Sequence, residues 1–335
     1  MSYRHIPAMP KEVAYYLNCR PGKIFVDGTI GGCGHAGKIC EKILPDGLLI
    51  GIDQDIDAIT NADRVLGAYA PNIRLFHGNF IHLPDFLSQL KIAAVDGILL
   101  DLGISLHQIK NSGRGFSFRE DEPLDMRMDA QSGETAENLI NNLSRENLRR
   151  LFKDYGEERW AKQIAYKIVE TRKRKMIRTS TQLAQIIIDA IPRHALSKQK
   201  IHPATRVFMA LRIAVNQELE MLKTFMDRAA DFLNPGGRLC VLSFHSLEDR
   251  IVKQKFKALE KGCSCPPQLP ICVCGQNPQI SILTKRVVRP STEEIIANPM
   301  ARSTRLRAAE KLQQTDDREN RSRKLETLNQ QLSEP

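Results

Sequence analysis

Residues 23–37, KIFVDGTIGGCGHAG, constrain the fold more than any other stretch: a short apolar run suited to a strand ends in Asp27 and opens at once into a glycine-dense turn. Gly28, Gly31, Gly32 and Gly34 lack a Cβ, so the turn can take positive φ and let a ligand press against bare backbone between strand and helix. The helix that follows is expected to start near His35. A second run, LLIGID, ends in Asp53, where nucleotide-binding sheets place a carboxylate against ribose hydroxyls. Gly32, Gly34 and Gly37 also satisfy GxGxxG, a pattern too weak by itself to decide the ligand.

Strand-like runs recur at 24–27, 48–53, 73–77, 95–101 and 238–244, with helical stretches between the first four. That alternation predicts an α/β fold with a parallel, doubly wound sheet. Between the fourth and fifth runs lie helix formers such as RWAKQIAYKIVETRKR and TQLAQIIIDAI. The sheet domain is therefore expected to be discontinuous, 1–129 and 204–310, with an all-helical insertion at 130–203. The helix before the fifth run is expected to end at Leu233, ahead of the turn signal at 234–237, because Pro cannot continue a helix and Gly accepts left-handed φ. ISILTKR and ARSTRLRAAE are candidate antiparallel edge strands, the second equally compatible with a helix. Residues 311–335 are polar and poor in large apolar groups, and are expected to be disordered or a loose charged helix.

The net charge of +10 favours a polyanionic partner, since Lys and Arg that neutralise phosphates release condensed counterions; a solvated basic surface is the plainer alternative. No run approaches an uninterrupted membrane span and the N-terminal residues hold no signal-peptide core, so a cytoplasmic protein without a membrane partner is expected. Of eight cysteines, those at 19, 33, 40 and 240 are scattered and do not resemble a secreted disulfide framework. Cys263, Cys265, Cys272 and Cys274 cluster in CSCPPQLPICVC. Two ligands one residue apart point to opposite sides of an extended chain, so reduced thiols without a metal are the expectation here, ahead of a zinc site.

Asp27, Asp53, Asn79 and Asp101 all fall at or just beyond the ends of successive predicted strands, the edge at which open α/β sheets bind ligands. For Asp101 the rival reading is a turn or helix cap. A nicotinamide site explains the first two acids, whereas an S-adenosylmethionine site uses all four positions: glycine backbone beside the amino-acid moiety, Asp53 on the ribose, Asn79-Phe80 beside the adenine, and Asp101 near the reacting end. Methyl transfer is thus favoured over hydride transfer. The next segment, NSGRGFSFREDEPLDMRMD, carries Phe116 and Phe118, which either stack on a base or anchor the loop to the core. Residues 159–178 hold eight Lys or Arg against one acid, Glu170, on an amphipathic pattern that suits an RNA backbone; Arg172, Lys173 and Arg174 are candidate substrate contacts. In SFHSLEDRIVK, Ser246 and Asp249 stand at capping-box spacing. His245 is then left as a possible catalytic or substrate contact beside Asp101, or a core histidine.

From His5 to about Ala309, through DGTIGGCGH, GIDQD, DLGIS, RGFSF, PLDMRMD, YGEER, HPATR, ALRIAVN, FHSLEDR and ANPMARS, the chain resembles the bacterial RsmH (MraW) family. The resemblance implies a class I (Rossmann-like) S-adenosylmethionine-dependent core with a helical insertion that helps recognise the small ribosomal subunit. It implies methylation of the exocyclic N4 of a decoding-region cytidine in 16S ribosomal RNA, by a monomer or homodimer. By the same analogy the cofactor contacts fall on Cys33, Gly34, His35, Asp53, Phe80, Asp101 and Gln108. Two positions depart from the family's usual pattern: Cys33 replaces a glycine, and Leu106-His107 replaces Ser-Pro. Where many amino-methyltransferases carry a proline pair and an aromatic, this chain has Asp101-Leu102-Gly103-Ile104. The N4 proton acceptor is then expected to be the Asp101 carboxylate or a carbonyl at Leu102 or Gly103, with Phe116 or Phe118 as stacking partner.

Overall fold

The computed structural model describes residues 6–197, 199, 201–263, 265–266, 274 and 276–313. Strands β1 (Ile24–Asp27), β2 (Leu48–Asp53), β3 (Ile73–His77), β4 (Val95–Asp101), β5 (Leu233–Ser243), β6 (Ile280–Ile282) and β7 (Arg305–Lys311) form one sheet in the order β3-β2-β1-β4-β5-β7-β6. β1 to β5 are parallel, and β7 runs antiparallel between β5 and β6. This is the class I methyltransferase arrangement. Strand order reverses between β1 and β4, which opens a crevice at their carboxyl ends.

The central strands are apolar on both faces because both are covered. Successive residues alternate between two cores. Phe25, Leu49, Leu99, Cys240 and Leu242 pack with α1 (Pro10–Leu17), α2 (Gly34–Ile43) and α3 (Ile56–Val65). Val26, Ile50, Ile98, Leu100 and Val241 face the opposite layer, which receives α4 (Leu83–Gln89), α12 (Glu218–Arg228) and α13 (Ser246–Lys261).

The remaining helices are α5 (Leu106–Lys110), α6 (Ala136–Asn142), α7 (Arg145–Asp154), α8 (Ala161–Arg172), α9 (Ser180–Ala190), α10 (Arg193–Leu196), α11 (Thr205–Val215) and α14 (Thr292–Ala297). A third apolar cluster joins α6, α7, α8, α9 and α11, and it also takes in Phe116, Leu124, Met126 and Met128. The helical core thus draws on both flanks of the 130–203 interval.

Two local expectations change, and one choice the sequence left open is decided. The helix before β5 ends at Arg228, and Asn234-Pro235-Gly236-Gly237 lies inside β5, with a register shift opposite Val95 and Gly97. Pro and Gly here mark a strand irregularity rather than a helix stop. Within ARSTRLRAAE the residues from Arg305 form β7, the strand alternative, because Leu306 and Ala308 point into the core, while residues 301–303 end a 3-10 turn; β6 takes the edge and β7 lies inside the sheet. Lys311 closes that strand; the rest of the expected tail from Gln314 onward lies outside the described residues. Among the described residues, no helix is long and apolar enough to cross a membrane.

Candidate active site

The glycine turn is stitched to its neighbouring strands. Gly28 N–H donates to Leu99 O (2.9 Å), Ile30 N–H to Ile52 O (3.0 Å), and Asp101 N–H to Thr29 Oγ1 (2.7 Å). Gly31, at φ +42°, donates its N–H to Asp53 Oδ2 at 2.9 Å, and Asp53 Oδ1 accepts the Asp55 N–H at 2.9 Å. Only glycine fits at Gly28, where a Cβ would lie 2.6 Å from Leu100, and at Gly34, where it would lie 2.8 Å from Pro7. Gly37 has ordinary φ and open space at its Cβ position, so the third glycine of GxGxxG has no steric task.

These elements enclose a cavity of about 530 Å³ at the β1/β4 switch point, the size range of small-molecule sites. Gly34, His35, Asp53, Phe80, Asp101 and Gln108 line it, together with Asp27 and Asn79. Cys33 does not. Its φ of +64° is left-handed, and its thiol turns inward, taking a hydrogen bond from Asn61 Nδ2 (3.7 Å). Burial pushes that thiol up to about 12. The cysteine in a glycine position therefore offers the crevice no side chain.

Three carboxyl groups face the cavity and all are shifted up. Burial raises Asp27 to about 7, against the Thr29 N–H that stabilises its anion. Burial raises Asp53 to about 6, against the N–H donors of Asp55 and Gly31. Asp101 is raised well above the ordinary carboxylate range by burial, by the Asp27 charge and by the Glu248 charge. Its Oδ2 lies 3.6 Å from His35 Nε2, while its buried Oδ1 has no hydrogen-bond partner among the described residues. An enclosed acceptor left over is a position for a ligand donor.

Gln108 is the third residue of a capping box: its Oε1 accepts the Ser105 N–H (2.9 Å) and its Nε2 donates to Asp55 Oδ2 (2.8 Å). Arg114 Nη2 meets the same Asp55 oxygen at 2.5 Å. Phe80 stands edge-on to Phe225, ring centroids 5.4 Å apart, just after Asn79, whose side chain accepts the Ile81 N–H.

His245 is the N-cap of α13. Its Nδ1 accepts the Glu248 N–H (3.4 Å), and Nε2 lies 3.0 Å from Glu248 Oε1. The capping box is thus His245/Glu248, one residue earlier than the expected Ser246/Asp249 pair; Asp249 instead holds Arg307 (2.6 Å). Although β4 and β5 are neighbours, His245 is absent from the cavity wall, and Glu248 connects it electrostatically to Asp101. Arg212, on α11, does line the cavity and holds Glu218 in a bidentate pair (2.7 and 2.9 Å).

Phe116 and Phe118 do not line the crevice. Phe116 is buried in the helical core, and Phe118 stacks on His202, ring centroids 4.2 Å apart. Besides Phe80, the aromatic lining this crevice is Phe244, which the sequence offered only as the last residue of the 238–244 run and the first of FHSLEDR, with no sign of a site role; a Cβ on Gly103 would lie 3.5 Å from its ring. Residues 297–301 were also missed, although ANPMARS was noted. They line the crevice opposite Ile6 and Ala8, tied there by Asn298 Nδ2 donating to Ile6 O (3.2 Å).

Arg172 is engaged at the end of α6, donating to the carbonyls of Ile140 and of Leu143 (2.6 Å). Lys173 and Arg174 are exposed, Lys173 pairing with Glu170 at 2.7 Å. None of the three reaches the cavity wall. A separate surface pocket is lined by Arg145, Glu146, Arg149, Lys162, Tyr166 and Lys167 of α7 and α8, with Arg149 paired to Glu146 at 2.6 Å, beside Asp189 of α9. Far from the crevice, the sulfurs of Cys263, Cys265 and Cys274 lie within 4.8 Å of one another; Cys272 is outside the described residues.

The model of the MraW methylase family matches residues 2–312. The chain is 54% identical over 312 residues to the ribosomal RNA small subunit methyltransferase H of Desulfosudis oleivorans, covering 93% of this chain and 100% of that protein. The protein of the same name from Desulforapulum autotrophicum is 54% identical over 309 residues (92% and 99%), and that of Syntrophotalea carbinolica 50% over 311 (92% and 98%). Motif, fold and crevice therefore agree with descent: the chain belongs to the MraW methylase family.

Proposed function

We propose that this methylase transfers a methyl group from S-adenosylmethionine to the exocyclic N4 of a cytidine in the decoding region of 16S ribosomal RNA, within the small ribosomal subunit and in the cytoplasm. The observation that carries the reading is the one crevice lined by Asp27, Asp53, Asn79-Phe80 and Asp101, with Asp101 Oδ1 unpartnered at the reacting end. The family and its relatives, ribosomal RNA small subunit methyltransferases, support RNA as substrate.

The residues fit the cofactor. The bare turn at 28–34 admits a ligand against backbone N–H groups. Asp53 already accepts one N–H on each oxygen, and each keeps a second lone pair for ribose hydroxyls. Asn79 and Phe80 frame the adenine position, and Gln108, with one amide N–H uncommitted, lies on the same wall. Cys33 contributes the shape of the turn through its backbone, its carbonyl accepting the Gly37 N–H at 3.0 Å.

The bound cofactor supplies an electrophilic sulfonium methyl, so the protein's task is to position a weak nucleophile and take its proton. Cytosine N4 is a poor nucleophile because its lone pair is delocalised into the ring, and orientation is the largest available effect. Asp101 is the proton acceptor: its buried Oδ1, without a hydrogen-bond partner among the described residues, can receive an N4 hydrogen. Phe244 replaces Phe116 and Phe118 as the ring beside the base. His245 acts at one remove, holding Glu248 whose charge raises Asp101. The basic faces of α7 and α8 receive the RNA backbone. A thermal-shift comparison tests the ligand class: S-adenosylmethionine raises the melting temperature and NADH does not. The converse result would return the dinucleotide reading to first place.

A further inference from the structure

We propose that Cys263, Cys265 and Cys274 form a thiolate site for a zinc ion, a structural clamp at the base of the sheet, remote from methyl transfer. The sulfurs all lie within 4.8 Å of one another, and the Cys274 and Cys263 sulfurs are 3.8 Å apart. A disulfide requires about 2.05 Å. Tetrahedral zinc with Zn–S of about 2.3 Å places neighbouring sulfurs about 3.8 Å apart, so the Cys263 and Cys274 sulfurs already stand at the spacing of a tetrahedral edge, with Cys265 within 4.8 Å of both. Soft sulfur donors in that geometry select zinc over the hard cations bound by carboxylates.

The objection that ligands one residue apart diverge applies to an extended chain, and the described residues flanking this pair turn. Gly262 turns it with φ +68°, and a bend follows at Cys265. Hydrogen bonds around the end of α13 bring the segment's two ends together. Gly262 N–H donates to Ala258 O (2.9 Å), and Gln279 N–H to Leu259 O (2.9 Å). Ile282 N–H donates to Glu260 Oε1 (2.9 Å). A Cβ on Gly262 would lie 2.3 Å from the Asn277 carbonyl carbon, so glycine is what allows the two ends to meet. Each of the three cysteines is half-buried, reachable by an ion yet partly shielded from water. Three sulfurs take three corners, and the fourth is left to another donor.

The location assigns the role. α13 starts beside the crevice at Ser246 and ends at Lys261; sixteen residues at 1.5 Å each carry the chain about 24 Å away before the thiols begin. A metal there fastens α13 to β6, the outermost strand of the sheet. It cannot touch the reacting atoms.

The test is metal content of the full-length protein purified without chelator, by plasma mass spectrometry, with cobalt(II) substitution as a second readout. About one zinc per chain is expected, together with a sulfur-to-cobalt charge-transfer band after exchange. Cys263→Ser and Cys274→Ser lose the metal, and Cys19→Ser, outside the cluster, keeps it. If either serine variant fails to fold, alkylating the wild-type thiols abolishes the cobalt band and serves in its place. Less than a tenth of an equivalent of zinc in the wild type, with no cobalt band on titration, overturns the proposal, as does full zinc content in Cys274→Ser.

Discussion

The charge of Asp27, at the end of β1, raises the pKa of Asp101, at the end of the neighbouring strand β4. Two enclosed carboxyl groups on adjacent strands share one crevice, and burial shifts both upward. Burial first, and the coupling after it, set the site's pH behaviour.

Replacing Asp101 with Asn removes the proton acceptor while keeping shape and hydrogen bonding. Turnover is expected to fall by about 10²–10⁴-fold, the usual contribution of a positioned base, with cofactor affinity changed far less. Single-turnover methylation and calorimetric titration separate the two. Full turnover in Asp101→Asn would remove the carboxylate from the mechanism.

The ligand-free protein should lose stability as pH rises through the carboxyl titrations. Asp27 sits at about 7 in the fold against an ordinary 3.8, so the folded state holds a proton that the unfolded state has released, and stability from this group falls between those values. Asp53 acts in the same direction up to about 6. Asp27→Asn is therefore expected to raise the melting temperature at pH 8 and to change it little at pH 4. A cationic methyl donor favours the ionised carboxylates, so its affinity should rise from pH 5.5 to pH 8 with proton release, measurable by titration in buffers of different ionisation enthalpy.

Gly34 and Gly37 should respond oppositely to alanine. At Gly37 nothing obstructs a Cβ, and the helix gains about 0.5–1 kcal/mol with cofactor affinity unchanged. At Gly34 the Cβ meets Pro7 and displaces the N-terminal segment that covers the crevice, so affinity falls. Thermal melts and cofactor titration of the two variants check both halves.

The basic residues of the helical region divide by task. Arg172→Ala loses two hydrogen bonds to carbonyls ending α6 and is expected to cost about 1–3 kcal/mol in stability. Lys162→Glu with Lys167→Glu should leave the melting temperature alone, weaken subunit binding and flatten its salt dependence. Filter binding across a salt series, beside melts, distinguishes them.

The strands were readable because β1, β2 and residues 98–100 of β4 are buried between two layers and so form apolar runs ending in acids. The same ends lead to the crevice. The irregular start of β5 was hidden by Asn234-Pro235-Gly236-Gly237, whose local chemistry reads as a turn until pairing with β4 overrides it. His245 as an N-cap was illegible because histidine is an uncommon cap, and Ser246 offered the more familiar one. Phe116 and Phe118 were ambiguous since a ring that packs and a ring that stacks have the same sequence; burial in the helical core decides for Phe116 and the stack on His202 for Phe118. Arg212 and residues 297–301 reach the crevice from segments distant in sequence, which periodicity does not register.

The central claim is tested most directly by incubating the purified protein with labelled S-adenosylmethionine and small ribosomal subunits from a strain lacking the modification, then identifying the methylated nucleoside by mass spectrometry. The account predicts N4-methylated cytidine at a single site in the decoding region. Label on a different nucleoside, or none despite measurable cofactor binding, would contradict it.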